Sequence, residues 1–458
     1  MTVFDALRTE LDLPDHFPED VSAEARRIAA EPVSPDGRTD RRDLPFVTID
    51  PPGSMDLDQA VHLERSADGF VVHYAIADVG AAVPPGGAVD LESWRRGETI
   101  YLPDGRVPLH PPELSEDALS LLPDQDRRAV LWTVQVSSDG SLGTATVERA
   151  LVRSIARLDY EAVQSASDSG SPHPSVEALA DLGRARRAAR VAAGALELGL
   201  PEQEVEADGD GWAVRWRRRA EADDWNAEVS LLTGMAAARM MLESSVGVLR
   251  VLPEADDRDV RRFLQRAEAL GVDVGQRSAA EVLAGLDPAR PLHVALMNDG
   301  ARLLRGAGYV AFDGAPPEQS HHAGIGGPYA QVTAPLRRLA DRYGTEVCLA
   351  LAAGSPVPEW VRTALVRLPD AMKEADRRAN AADRGATDLA EAVMLQGRVG
   401  ETFRATVVRA DEDRVTVMLE EPSVLAACTG EGLQEGAEIS VVLESADVSA
   451  GKVTFRPV

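Results

Sequence analysis

The feature that most constrains the fold is the separation of strand-like and helix-like segments into blocks. Segments typical of strands, such as FVTI, FVVHYAIADV and AVLWTVQVSS, lie between residues 46 and 155, and SSDGS indicates a hairpin turn. Helix-like segments then dominate from residue 176 to about residue 391, and short strand-like segments return from residue 397. Strands and helices in separate blocks predict an α+β fold.

The length of 458 residues predicts more than one domain. VFDALRTEL and SAEARRIAAE predict a small helical N-terminal region over residues 1–45. Residues 46–392 form the predicted main domain, and the closely spaced strands of residues 393–458 predict a small β-barrel.

Composition indicates the cellular compartment and excludes some classes of binding site. No apolar run approaches the ~18–20 residues of a membrane span, so we expect no membrane association. The two cysteines, Cys348 and Cys428, form no CxxC pair. This pattern excludes a cysteine-rich zinc site and favours a reducing cytoplasm.

The formal charge of −27 argues at first against a nucleic-acid partner, because phosphate binding requires positive charge. Net charge is a poor guide when charges are patterned, and arginines cluster in RRAAR (186–190), RWRRR (215–219) and APLRRLADR (334–342). The arginine fork suits bidentate phosphate contacts. For most of these arginines, a solvated helix face with acidic neighbours is the simpler interpretation.

Three carboxylates, Asp50, Asp56 and Asp58, follow the strand-like FVTI within nine positions. An EF-hand calcium loop is excluded, because Val61 stands where that loop requires glycine. A solvated acidic turn and a magnesium site both remain open. Mg²⁺ takes oxygen ligands and completes its shell with water and substrate phosphate.

Several separated motifs resemble, in order and spacing, the catalytic (RNB) domain of the ribonuclease II/ribonuclease R exoribonucleases. They include FVTIDPPGSMDLDQA, YAIADV, YLPDGRVPLHPPELSEDALSLLP, GALELGLPE and SHHAGIGGPYAQVTAPLRRLADRY, and the resemblance covers roughly residues 43–351. It implies an RNB-type catalytic domain followed by an OB-type barrel. The two cold-shock barrels that usually precede this domain do not fit into 45 residues.

The resemblance implies that Asp50, Asp56 and Asp58 bind Mg²⁺, with Mn²⁺ as an alternative, beside the scissile phosphodiester. Arg337 would steady the phosphate and stabilise charge that develops during attack. The chain departs from the family at Gln59, where aspartate is usual, so we expect weaker metal binding. Asp78 is a candidate for nearby support, with a structural role as the alternative.

The same resemblance implies a set of RNA contacts. Tyr101 and Tyr160 would stack on bases, with core packing as the alternative, and Arg338 would contact the RNA backbone. Glu228 would help to place the terminal nucleotide. His321 matches the family's histidine, with a hydrogen-bonded structural role as the alternative.

Three further departures from the family weaken parts of this assignment. Leu198 replaces an aromatic residue of the base clamp, Ala227 a second glutamate and Gly234 an asparagine. The clamp is therefore expected to be one-sided, and the helix that carries Glu228 is only a partial match.

The function implied is a Mg²⁺-dependent, monomeric, cytoplasmic 3′→5′ exoribonuclease that hydrolyses single-stranded RNA to nucleoside 5′-monophosphates. With the front barrels absent, short 3′ overhangs should suffice on structured RNA. A non-catalytic RNA-binding or regulatory protein with a degenerate site is the alternative that Gln59 motivates. An acidic sugar hydrolase is a third hypothesis, but it explains neither the arginine motif nor the clamp.

Overall fold

The computed structural model describes residues 3–200, 202–209, 211–217, 219–411, 414–430 and 432–458. Its helices are α1 Asp5–Glu10, α2 Glu19–Ala29, α3 Val79–Ala82, α4 Ala88–Arg96, α5 Tyr160–Asp168, α6 Leu179–Ala192, α7 Glu221–Glu243, α8 Asp257–Ala269, α9 Ala279–Ala284, α10 Pro291–Gly300, α11 Leu339–Ala352, α12 Glu359–Leu365 and α13 Leu368–Leu395. Among the described residues, no helix combines the length and the apolar character needed to cross a bilayer.

The strands group into one large sheet, several hairpins and a C-terminal barrel. They are β1 Thr39–Asp40, β2 Phe46–Ile49, β3 Gln59–Ser66, β4 Gly69–Ala77, β5 Ile100–Leu102, β6 Gly105–Val107, β7 Asp126–Ser137, β8 Leu142–Leu158, β9 Glu202–Asp208, β10 Gly211–Arg217, β11 Val246–Val251, β12 Gly308–Asp313, β13 His321–His322, β14 Gly327–Pro328, β15 Thr402–Asp411, β16 Arg414–Leu419, β17 Val424–Cys428, β18 Glu438–Asp447 and β19 Lys452–Pro457. The strands of the main sheet all lie before residue 160, short hairpins interrupt the helical block that follows, and the α+β prediction is confirmed.

The main sheet has the order β1-β8-β2-β3-β4-β7, and β7 also pairs with β8, so that five strands close on themselves. Alternate residues of its strands, such as Val72, Tyr74 and Ile76 on β4, are buried in the main core. The predicted turn SSDGS joins β7 to β8, with the Ser137 amide donating to the Ser141 carbonyl at 3.0 Å.

Helix α7 packs across this sheet because its apolar residues recur at helical spacing. Trp225, Val229 and Leu232 are buried at intervals of four and three residues. Gly234 lets the helix approach a neighbouring segment, since a Cβ atom there would lie 2.1 Å from the Tyr329 ring and 2.5 Å from the Ala330 carbonyl oxygen. In this chain, the glycine at the family's asparagine position therefore serves backbone packing.

The N-terminal region is built into the main domain. Strand β1 lies within residues 1–45, yet it pairs in parallel with β8 of the main sheet. Phe4 is fully buried, and its ring meets Trp212 edge-on at 5.1 Å. Helix α2 buries Val21, Ala25 and Ile28 in a cluster that also contains Leu336.

The C-terminal strands close into a barrel of order β15-β16-β17-β19-β18, as predicted for an OB-type domain. Its interior includes Val407, Val417, Val441, Leu443 and Phe455, all fully buried. Alternation along each strand directs these side chains inward, which gives this small domain its own core.

The helix-face interpretation, made for most of the clustered arginines, does not hold for Arg215 and Arg217, although their expected acidic neighbours are present. Residues 211–217 form strand β10, in which Trp212, Val214 and Trp216 occupy every second position, the period of a strand. Arg215 lies 3.3 Å from Glu206 on the paired strand β9, and Arg217 lies 2.9 Å from Asp223. Acidic partners therefore surround this cluster; Arg218 lies outside the described residues.

Candidate active site

The three aspartates of the acidic cluster lie in the connection between strands β2 and β3. Asp50 directly follows β2, and β3 begins at Gln59. Leu57 is fully buried and anchors the loop, because its amide donates to Ser120 Oγ at 3.0 Å. The loop thus folds back over the sheet edge and carries Asp56 and Asp58 on either side of this anchor.

Asp58 is the most deeply buried of the three, at 3% exposure. Its Oδ1 accepts a hydrogen bond from the Leu336 amide at 2.7 Å, and its Oδ2 lies 3.4 Å from Arg337 Nε. Burial raises the pKa of Asp58 to about 8, although Arg337 and the Leu336 amide act in the opposite direction. Its negative charge is therefore only partly compensated.

Asp50 is in a similar position. Burial raises its pKa to about 6, and the charge of Asp56 adds to this effect, while Arg337 and Arg157 oppose it. In the part of the chain that the structure describes, no group donates a hydrogen bond to this carboxylate. The half-buried Asp50 and the buried Asp58 thus both lie within the electrostatic influence of Arg337.

Asp56 is bound by a residue that the sequence analysis did not single out. Arg106 Nη1 lies 2.6 Å from Asp56 Oδ1, and Arg106 Nη2 lies 2.6 Å from Glu116. Tyr101 donates its hydroxyl to Asp56 Oδ2 at 3.2 Å. Tyr101 and Arg106 are direct register partners in the β5–β6 hairpin, so the strand alternation around the turn PDG was the signal that could have identified Arg106.

Gln59 faces the arginine motif. Its Nε2 donates to the Thr333 carbonyl at 2.6 Å, which ties the start of β3 to the segment that leads to Arg337. The contacts of Asp78 agree with its structural alternative: it is 1% exposed, and its Oδ2 accepts from Arg38 at 2.7 Å and from Arg149 at 3.0 Å.

The two tyrosines lie on different sides of the cluster. Tyr101 is 50% exposed, which leaves a ring face open to a ligand. Tyr160 begins helix α5, and burial raises its pKa, with the charge of Asp50 adding to the effect and a hydrogen bond with Asn226 opposing it. Both hydroxyls are therefore near carboxylates of the cluster.

The adjacent arginines differ in environment. The Arg337 side chain is 46% exposed beside Asp58. Arg338 is bound by Asp341 through two hydrogen bonds of 2.8 Å. Arg337 is thus the arginine presented to the site, whereas the expected RNA contact of Arg338 would have to compete with an ion pair.

Glu228 lies in a separate buried cluster. Its two carboxylate oxygens each accept from Arg190 Nε at 3.0 Å, and Arg190 also binds Glu197. Glu228 lines a cavity of about 490 Å³ together with Leu198 and Ala227. The structure therefore places Glu228 beside two of the positions that depart from the family.

His321 lies on strand β13, away from the aspartates in its described contacts. Its Nε2 is 3.7 Å from a carboxylate oxygen of Glu254, and its carbonyl accepts from the Leu252 amide at 3.1 Å. The backbone bond belongs to sheet pairing, which agrees with the structural alternative for this histidine.

The donor chemistry of the cluster fits a divalent cation, although the ligands are not converged. Within the described ranges, no group of three or more His, Cys, Asp or Glu side chains is arranged to hold a metal ion. The carboxylates of Asp50 and Asp58, whose pKa values are raised by burial, are nevertheless the hard oxygen donors that Mg²⁺ prefers, and their charge is only partly compensated. Asp50 and Asp58 would hold such an ion, and Asp56 could join them only by leaving Arg106.

Comparison with known families identifies the class of this chain. The model of the RNB domain matches residues 38–347, and that of the RNase II-type exonuclease C-terminal S1 domain matches residues 401–458. Because the first match covers more than half of the chain, the protein belongs to the RNB family.

Individual relatives agree with this membership. Ribonuclease R of Thermotoga maritima is 26% identical over 443 residues, which cover 91% of this chain and 62% of the relative. The apo form of Mycoplasma genitalium RNase R superposes with a TM-score of 0.88 at 20% identity, covering 99% of this chain and 77% of that one. That relative has also been solved with ribose-methylated single-stranded RNA and with double-stranded RNA.

The fold is also shared by a protein without nuclease activity. Yeast Ssd1, described as a pseudonuclease, superposes with a TM-score of 0.73 at 17% identity, covering 90% of this chain and 53% of that one. The chain spans half or less of the length of the first curated relatives it matches. Activity has to be argued from the site itself.

Proposed function

We propose that this protein is a Mg²⁺-dependent 3′→5′ exoribonuclease that hydrolyses single-stranded RNA, including short 3′ overhangs, to nucleoside 5′-monophosphates. The observation that carries the proposal is the burial of Asp58 and the partial burial of Asp50 beside the exposed side chain of Arg337. Burying two carboxylates costs free energy that one arginine offsets only in part. A cation bound at this site would compensate the remaining negative charge and thereby offset this cost.

The residues divide into three roles. Asp50 and Asp58 would hold the divalent cation, which when bound would lower the pKa of water and offset charge on the leaving oxygen. Arg337, exposed and 3.4 Å from Asp58, neutralises charge on the scissile phosphate. Tyr101 offers a half-exposed ring for base stacking, which needs no sequence recognition.

The 3′→5′ direction, the monomeric state and action in the cytoplasm belong to the same proposal. They are supported by the family membership and by relatives named ribonuclease R. The low cysteine content agrees with a reducing compartment.

A non-catalytic RNA-binding protein is the second candidate, and one contact favours it. The Gln59 amide is used in a hydrogen bond to Thr333, so this position adds no negative charge to the site. A pseudonuclease with the same fold exists among the structural relatives. The exposed Arg337 favours catalysis, because an unused site has no need of a phosphate ligand beside buried acids.

The deciding experiment uses oligo(A) labelled at its 5′ end in one sample and at its 3′ end in another. With Mg²⁺ we expect a descending ladder from the 5′-labelled substrate and immediate release of labelled mononucleotide from the 3′-labelled one. EDTA should stop both reactions. Binding without any Mg²⁺- or Mn²⁺-dependent cleavage would instead identify the non-catalytic protein.

A further inference from the structure

The β5–β6 hairpin has two faces with different tasks. Ile100, Leu102 and Val107 are buried on its back face. Tyr101 and Arg106, paired across the strands, point to the front, where both contact Asp56. The position of this hairpin therefore fixes what surrounds Asp56.

A two-stranded hairpin is marginally stable on its own in water, so its position depends on what packs behind it. The back face belongs to a core cluster with Phe4 and Leu13 from the N-terminal region and with Ala382 and Ala386 from α13. Helix α13 and the residues Phe4 and Leu13, which flank α1, thus cover the side of the hairpin opposite to Asp56.

One ion pair links α1 to the hairpin turn. Arg8 Nη1 donates to Asp104 Oδ2 at 2.9 Å, and Arg8 Nη2 donates to Asp104 Oδ1, which makes the pair bidentate. The two side chains are 17% and 9% exposed, so solvent screens the pair less than a surface bridge. Asp104 lies in the turn between Tyr101 and Arg106.

We infer that α1 is a positioning element of the active site, and that Arg8 is the residue through which it orients Tyr101 and Arg106 toward Asp56. This inference rests on the proposed function. A displacement of about 1 Å at a reacting site can lower the rate about a hundredfold. A contact that fixes the position of the hairpin can therefore affect the rate of catalysis. On this view the N-terminal region holds the β5–β6 hairpin in the position from which Tyr101 and Arg106 contact Asp56.

The test measures RNA affinity in EDTA, where no turnover occurs, in a double-mutant cycle of Arg8→Ala with Tyr101→Ala. Arg8→Ala should weaken oligo(A) binding about fivefold in the wild-type background, because the stacking ring is misplaced. In the Tyr101→Ala background, the same change should cost less than about twofold, since the two residues act through one another. Arg8→Lys should restore part of the affinity.

Arg26→Ala is the matched control, because Arg26 forms an exposed ion pair with Glu19 in the same region and should leave binding unchanged. Thermal unfolding confirms that each variant is folded at the assay temperature. Equal losses in both Tyr101 backgrounds, or an Arg8→Ala variant that binds like Arg26→Ala, would overturn the inference. Failure of the exonuclease proposal would be distinct, because wild-type protein would then bind oligo(A) without cleaving it.

Discussion

Two buried acidic clusters of this protein differ in how their charge is compensated. Around Asp50 and Asp58, burial raises both pKa values and Arg337 offsets the charge only in part. Glu228 is equally buried, but it forms a close ion pair with Arg190. Both clusters were expected to be functional from the same resemblance.

The difference separates a site that can accept a ligand from one that already has its partner. Binding of a cation stabilises a buried carboxylate whose charge is not fully compensated. A carboxylate that is already paired with an arginine must first break that ion pair before it can bind a cation. We therefore propose chemistry for the cluster of Asp50 and Asp58, and positioning for the cluster of Glu228.

The largest expected effect is loss of hydrolysis in Asp58→Asn. The substitution removes a metal-binding charge and should lower the rate at least about a thousandfold, while oligo(A) binding in EDTA stays close to wild type. Asp313→Asn, which alters an exposed ion pair with Arg362, is the matched control and should be active. Turnover within a few-fold of wild type in Asp58→Asn would remove Asp58 from the metal site.

The second prediction concerns Glu228→Gln, which should act mainly on stability. It leaves Arg190 with a weakened partner in a buried setting, and we expect a loss of about 3 kcal/mol in the free energy of unfolding, measured with denaturant. The hydrolysis rate of the folded protein should change less than about tenfold.

Glu221→Gln on the same helix is the control for this second prediction. Its ion pair with Arg184 is exposed, so stability should change by less than about 0.5 kcal/mol. If Glu228→Gln were as stable as wild type but inactive, Glu228 would be required for hydrolysis in the same way as Asp50 and Asp58. The proposed difference between the two clusters would then be wrong.

The third prediction concerns the pH dependence of the free energy of unfolding, which measures how much the burial of Asp58 destabilises the protein. The folded-state pKa of about 8 lies above the ordinary value of 3.8, so the folded protein keeps a proton that the unfolded chain releases. Wild-type stability without metal should therefore fall, relative to Asp58→Asn, as pH rises between these values. Denaturant unfolding in EDTA at about pH 5 and about pH 8 should show the advantage of Asp58→Asn growing by ~1–3 kcal/mol. A constant difference between the two proteins would contradict this cost.

The smallest expected effect is a shift in the metal requirement of Gln59→Asp. An added carboxylate should lower the Mg²⁺ concentration for half-maximal rate a few-fold, although the hydrogen bond to Thr333 is lost. Gln59→Ala loses the same bond without adding charge and serves as the control. If both variants need as much Mg²⁺ as wild type or more, position 59 does not face the metal.

Much of the fold could be predicted because local pattern and global fold agree there. FVTI, FVVHYAIADV and AVLWTVQVSS became β2, β4 and β7, and the C-terminal strands closed into the predicted barrel. Strand β10 was not predicted, because the four arginines of RWRRR concealed the spacing of Trp212, Val214 and Trp216 at every second position. The density of charged residues says little about backbone geometry, whereas the periodicity of apolar residues distinguishes a strand from a helix.

The sequence by itself determined the acidic cluster, the arginine motif and the order of the domains, because these depend on residue type and spacing along the chain. Only the tertiary structure decided which charges are compensated, since partners such as Arg106 for Asp56 and Arg190 for Glu228 come from other elements. It also placed Arg8 of α1 against Asp104 in the turn of the hairpin that carries Tyr101, a contact between segments almost a hundred residues apart. Burial and pairing are properties of the packed chain, and they set the pKa values on which the proposed chemistry depends.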